Sequence, residues 1–109
     1  MAYTALRKLG LRLAVSAALS LYLGAARAED GVVTIDNFTF QPQELTVKAG
    51  TTVTWKNHDD IPHTIVSAGK FRSKTMDTDD SFSFTFTAAG DYKYFCSLHP
   101  HMTGTIRVE

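Results

Sequence analysis

Ser81-Phe82-Ser83-Phe84-Thr85-Phe86-Thr87-Ala88-Ala89-Gly90-Asp91-Tyr92-Lys93-Tyr94-Phe95-Cys96 is the stretch that decides the fold. Phenylalanine at every second position of its first half, then Tyr92 and Tyr94, is the two-residue period of strands that bury one face. Ala89-Gly90 between them supplies glycine for a tight reversal. Val53 with Trp55 and Ile106 with Val108 repeat the alternation on either side. Strands are expected over Val32–Asp36, Phe38–Phe40, Glu44–Val47, Thr51–Lys56, His63–Ser67, Ser81–Thr87, Asp91–Phe95 and Gly104–Val108. Ala49-Gly50 marks another turn, and Pro42 and Pro62 limit how far neighbouring strands extend. From Glu29 onward no segment has a helical period. So many short strands in one small domain imply an all-β, two-sheet sandwich, with Trp55 and the Phe82, Phe84, Phe86 stripe in its core. Ala68–Asp80 is polar, mixed in charge and without alternation, so it is expected to be a crossing connection with room for a helical turn.

The start of the chain has a different character. Arg7, Lys8 and Arg12 precede an apolar stretch from Leu13 to Ala26, and Ala26-Arg27-Ala28 offers small residues to a signal peptidase. The expectation is a signal peptide over residues 1–28, cleaved after Ala28, followed by one domain over 29–109. The apolar stretch is shorter than the ~18 residues a spanning helix needs, so no membrane span is expected after processing. Removing the leader takes away four of the eleven basic residues and none of the eleven acidic ones, which leaves a net charge of −4. That balance argues against nucleic acid as a partner.

Export would ordinarily favour disulfides, yet Cys96 is the single cysteine and cannot pair within the chain. A free thiol in an oxidising compartment oxidises or cross-links unless it is buried or holds a metal. The residues that follow point to a metal. Cys96-Ser97-Leu98-His99-Pro100-His101-Met102 offers a thiolate, an imidazole and a thioether in one loop, and His63 heads a β-branched run upstream. Two imidazoles and a thiolate with a weak axial thioether suit copper that alternates between the +1 and +2 states. A rigid sandwich that holds such a loop against a histidine distant in sequence fixes geometry a flexible peptide cannot enforce.

Trp55-Lys56-Asn57-His58-Asp59-Asp60-Ile61-Pro62-His63 and Tyr92-Lys93-Tyr94-Phe95-Cys96-Ser97-Leu98-His99-Pro100-His101-Met102-Thr103-Gly104 resemble the cupredoxin family, across nearly all of residues 31–109. The ligand loop is as short as in the amicyanins, and plastocyanins and pseudoazurins are similar relatives. The resemblance implies a Greek-key two-sheet β-sandwich and one type 1 (blue) copper per chain. His63 and His99 would be nitrogen ligands, Cys96 the thiolate and Met102 the axial thioether. It also implies that the Asn57 side chain clasps the His63 segment to the ligand loop, and that the Thr64 N–H points at the Cys96 sulfur. Leu98 stands where amicyanins carry proline, and its N–H is expected to make a second contact to that sulfur. The function implied is a monomeric periplasmic carrier of single electrons between redox proteins, a c-type cytochrome or a periplasmic dehydrogenase, and not an enzyme. His99 would be the port, inside an apolar rim of Leu98, Pro100 and Met102, and the short loop implies that His99 detaches and protonates on reduction.

Other readings compete. A copper chaperone or storage protein would use the same ligands with easier metal exchange. A cysteine or zinc enzyme built on Cys96 and His99 would need an open position and an acid–base set. A metal-free interaction domain would explain each residue singly but not their order in an exported one-cysteine chain. His58 and His101 are expected to be solvent-exposed turn residues, with His101 able to add charge near a docking surface. Met76 is expected to fill a gap, and Lys70, Arg72, Lys74, Asp77, Asp79 and Asp80 to form a solvated loop.

Overall fold

The computed structural model describes residues 31–109, which form nine strands and no helix. The expected leader and its cleavage after Ala28 lie outside the described residues, among which no helix is long and apolar enough to cross a membrane. The strands are β1 (Gly31–Asp36), β2 (Thr39–Gln41), β3 (Glu44–Val47), β4 (Thr51–Asn57), β5 (Val66–Ser67), β6 (Phe71–Arg72), β7 (Ser81–Phe86), β8 (Gly90–Cys96) and β9 (His99–Val108). One sheet has the order β2-β1-β4-β7 and the other β3-β9-β8-β5-β6. β1 runs parallel to β4 and β3 to β9, and the remaining pairs are antiparallel. The expected all-β sandwich is therefore the fold.

Alternation does the work that the sequence assigns to it. In β4, Thr51, Val53, Trp55 and Asn57 are buried while the residues between them are not. Val53 lies opposite Phe84 and Trp55 opposite Phe82, so the phenylalanine stripe meets the tryptophan on the inner face. On the outer face the hydroxyls pair, Thr52 with Thr85 and Thr54 with Ser83, each at 2.7 Å. Such cross-strand pairs contribute about 0.2–1 kcal/mol apiece.

Trp55 is completely buried and bridges the sheets, its ring 5.7 Å from Phe82, 5.8 Å from Phe71 and 5.3 Å from Tyr94. Burying one large apolar side chain stabilises a fold by about 1.5–3 kcal/mol. Tyr94 lies flat over Gly104, its partner in the β8–β9 register, and a Cβ at residue 104 would collide with that ring.

Three expectations are corrected. His63–Ser67 is not one strand: only Val66–Ser67 joins the sheet. Pro62 precedes His63, and the backbones of His63 and Ile65 bond instead to the connection. His63 N–H donates to Met76 O (3.1 Å), Met76 N–H to His63 O (2.8 Å) and Ser73 N–H to Ile65 O (2.8 Å). That connection holds no helical turn. It contains β6, folded back on β5 through Gly69 at φ 74°. Finally, β9 begins at His99 rather than Gly104, because Cys96 pairs with His99 and the ligand loop is the end of the β8–β9 hairpin.

Candidate metal centre

Two backbone irregularities aim the donors. The β8–β9 register breaks between Phe95, opposite Thr103, and Cys96, opposite His99, which leaves Pro100, His101 and Met102 without partners on β8. A bulge of this kind redirects side chains. His101 stays exposed while Met102 turns inward to 5% exposure. Across the sandwich, the bridge to Met76 fixes His63 at the same end of the core.

The structure groups three of the four expected donors. His63 Nδ1 lies 3.7 Å and His99 Nδ1 3.6 Å from Cys96 Sγ, and the ligand atoms of the three all fall within 4.8 Å of one another. His63 and Cys96 are fully buried and His99 is half-buried. Met102 belongs to the same hydrophobic cluster as Cys96. Two nitrogens and one soft sulfur converging on a single point, with a buried thioether nearby, fit copper by the chemistry of the set.

The tie between the His63 segment and the ligand loop is Thr64, not Asn57. Asn57 is fully buried, but its Nδ2 donates to Ile61 O (3.0 Å) and Met76 O (3.1 Å), and its Oδ1 accepts from Asp59 N–H (2.9 Å). It therefore clasps the turn before His63 to the Met76 connection. Thr64 N–H donates to Cys96 Sγ at 3.3 Å, as expected. The Thr64 hydroxyl accepts from Ser97 N–H (2.8 Å), lies 2.8 Å from Ser97 Oγ and is 3.7 Å from Sγ. A hydroxyl has two acceptor sites and one proton. If both sites are filled by Ser97, the Thr64 proton points to sulfur, so one residue gives the thiolate two donors. Sγ takes its hydrogen-bond contacts from Thr64, His63 and His99 and none from Leu98 N–H, which corrects the second contact expected from it; the Leu98 side chain is 49% exposed.

Asp59 and Phe38 were not singled out by sequence. The Asp59 carboxylate takes His63 Nε2 at 2.8 Å, Asn37 N–H at 2.6 Å and Phe38 N–H at 3.0 Å. Burial pushes this carboxyl up, but the Phe38 N–H, the His63 ring and the Asn37 N–H outweigh burial and hold it below the usual carboxylate range. An ionised carboxylate only accepts, so His63 Nε2–H is the donor to Asp59, and Nδ1 is the ring nitrogen that faces Cys96. The signal that could have found it is an acid four residues before a candidate ligand across a proline turn. The ring of Phe38 packs edge-on against His63 and His99 and is 45% exposed. The rim around His99 is therefore Phe38, Leu98 and Pro100, while Met102 is too deeply buried to belong to it.

Behind Cys96 lies a polar irregularity. Trp55 Nε1 and the Tyr94 hydroxyl are buried without hydrogen-bond partners. Burial pushes Tyr94 up to about 12, offset only in part by the indole N–H, which lies close but outside hydrogen-bond geometry.

A family model for a cupredoxin-like domain matches residues 10–108. Amicyanin of Paracoccus versutus is 40% identical over 88 residues, which is 75% of this chain and 67% of that protein. A purple cupredoxin from Nitrosopumilus maritimus superposes with a TM-score of 0.71 at 35% identity, over 73% of this chain and 100% of that one. A methionine-to-alanine variant of amicyanin in its Cu(I) form superposes with a TM-score of 0.71 at 34% identity, over 78% of this chain and 89% of that one.

Proposed function

The chain belongs to the cupredoxin family, whose cofactor is one copper ion, and from that premise we propose that it is a periplasmic type 1 (blue) copper protein carrying single electrons between redox proteins. The observation that carries the reading is the convergence of His63 Nδ1 and His99 Nδ1 on the Cys96 thiol, at 3.7 and 3.6 Å. His63, His99 and Cys96 would hold the metal, with Met102 offering a thioether as a fourth, weaker donor. Copper, alternating between the +1 and +2 states, supplies the one-electron chemistry when bound. Thr64 bonds to sulfur and withdraws electron density from it, which favours the reduced state. Asp59 fixes the His63 tautomer. With four donors from the protein there is no vacant position for a substrate, so the reading is a carrier and not an enzyme.

Half-buried His99 is the exit for the electron, within the rim of Phe38, Leu98 and Pro100. A small apolar rim suits the weak, short-lived docking of redox complexes. The partners in this reading are a c-type cytochrome or a periplasmic dehydrogenase, met by a monomer after the leader is removed. The visible spectrum of the copper-loaded protein tests it: an intense thiolate-to-copper band near ~600 nm is expected. Absence of that band rejects the blue-copper reading. A band without rapid reduction and reoxidation by a c-type cytochrome would point instead to a copper chaperone or storage protein.

A further inference from the structure

The turn joining β1 to β2 has an unusual backbone for its residues. Asp36 pairs with Thr39, so the reversal consists of Asn37 and Phe38 alone, with φ of 52° and 58°. A two-residue hairpin with both central φ positive is the geometry that favours Asn followed by Gly. Asn37 fits it. Phe38 does not, since a bulky side chain is strained in the left-handed region. Strain of this kind persists where surrounding structure enforces it, and it points from the outlier to a role.

The surroundings show what enforces it. Both turn N–H groups end on the Asp59 carboxylate, which also holds His63 Nε2. The Phe38 ring stands perpendicular to both imidazoles, 5.5 Å and 88° from His63 and 5.1 Å and 89° from His99. Such T-shaped contacts are favourable. With 45% of its surface exposed, the ring is not placed there to fill the core. His99, in contrast, has no hydrogen bond through Nε2 among the described residues, and its one recorded polar contact is Nδ1 to Cys96 Sγ. The His99 ring packs instead against two neighbouring rings, Phe38 at 5.1 Å and His63 at 5.0 Å, and the three rings form one triangle.

We propose that the Asn37–Phe38 turn is a clamp on the metal-binding imidazoles, in which Asp59 latches the turn and Phe38 is a positioning residue that holds the His99 ring against rotation. The clamp is complete without metal, because Asp59, the turn, Phe38 and the two histidines close a ring of contacts made by protein atoms alone. It rests on the copper reading for its consequence, since freeing His99 loosens one ligand, but not for its existence.

The test uses two readouts. In the copper-loaded protein, transfer of Cu(I) to a colorimetric chelator is timed for wild type, Phe38→Gly and Phe38→Tyr. Glycine accepts the positive φ and deletes the ring, whereas tyrosine keeps the ring. Phe38→Gly is expected to release copper about tenfold faster, the scale on which supports behind a ligand act, with Phe38→Tyr within about twofold of wild type. Phe38→Asn, which also tolerates the left-handed region, replaces the glycine variant if that one fails to fold. In the metal-free protein, NMR of the His99 ring is expected to show rotamer averaging in Phe38→Gly and a fixed ring in wild type and Phe38→Tyr. Release changed by less than about threefold in Phe38→Gly, equal acceleration in Phe38→Tyr, or an unaltered His99 ring each overturns the clamp. If wild type lacks the blue band, the copper reading fails and the metal-free measurement still decides the clamp.

Discussion

The two imidazoles of the metal centre are held in opposite ways. His63 is fully buried, bridged to Met76 through both of its backbone groups and bonded at Nε2 to Asp59. His99 sits on the bulged end of β9, half-buried, held by ring packing against Phe38 and His63 and with no hydrogen bond at Nε2 among the described residues. In the proposed electron carrier, a ligand locked on every side would keep the site in one geometry while charge changes, and a ligand open on one side would let an electron reach a partner. One site needs both, and the fold provides them from different sheet connections.

The largest break in that contrast comes from Asp59→Ala, which leaves Asn37 N–H, Phe38 N–H and His63 Nε2 without an acceptor. A loss of about 3–5 kcal/mol is expected in urea denaturation of the metal-free protein, the scale for removing one partner of a buried pair. Asp59→Asn keeps an acceptor oxygen and should recover part of it. A loss under about 1 kcal/mol would mean that the carboxylate holds nothing.

Next in size is the direct comparison of the histidines. In the metal-free protein His63→Ala should cost about 2–3 kcal/mol through a cavity and the loss of one of the three donors to Asp59, while His99→Ala should cost less than about 1. Equal losses in calorimetry would erase the distinction. Thr64→Val keeps shape but leaves Ser97 N–H unpaired and removes one donor from sulfur. It should cost about 1–2 kcal/mol and lower the reduction potential measured by voltammetry, and Thr64→Ser should retain both properties. An unchanged or raised potential in the valine variant would show that the hydroxyl does not reach the sulfur.

The smallest effect sharpens the comparison by showing what a buried polar group without a role looks like. Tyr94→Phe deletes a hydroxyl that has no partner, so stability at pH 7 should change by less than about 0.5 kcal/mol. The sign at high pH follows from its raised value of about 12. Below pH ~10 both the folded and the unfolded tyrosine are protonated; as pH rises further the unfolded chain releases its proton first, and stability falls until the folded group also titrates. Wild type should lose roughly 2–3 kcal/mol more than Tyr94→Phe across that window, in denaturation curves taken at stepped pH. Parallel curves for the two proteins would place the hydroxyl in contact with water.

The fold was readable where burial is periodic. Phe82, Phe84 and Phe86, Val53 and Trp55, and Tyr92 and Tyr94 each announce a strand with one inner face, and the strands lie there. Reading failed where backbone hydrogen bonds override local pattern. His63–Ile65 looks like a strand, yet its partners are Ser73 and Met76, and Ala68–Asp80 looks shapeless, yet it contains β6 and buries Met76. The grouped donors His63, Cys96 and His99 were visible because their chemistry is rare in a chain with a single cysteine. Asp59, Thr64 as the tie, and Phe38 were not, because each acts through contacts across 21 to 61 residues of chain that leave no periodic trace.

By itself the sequence determined an all-β sandwich and a thiolate, imidazole and thioether set suited to copper, since period and residue type are local properties. Only the tertiary structure decided which imidazole is locked and which is open, that a threonine rather than an asparagine ties the two ligand segments, and that a strained turn lies over both histidines. Those outcomes depend on where loops meet in space, and hydrogen bonds between distant backbone groups set that meeting.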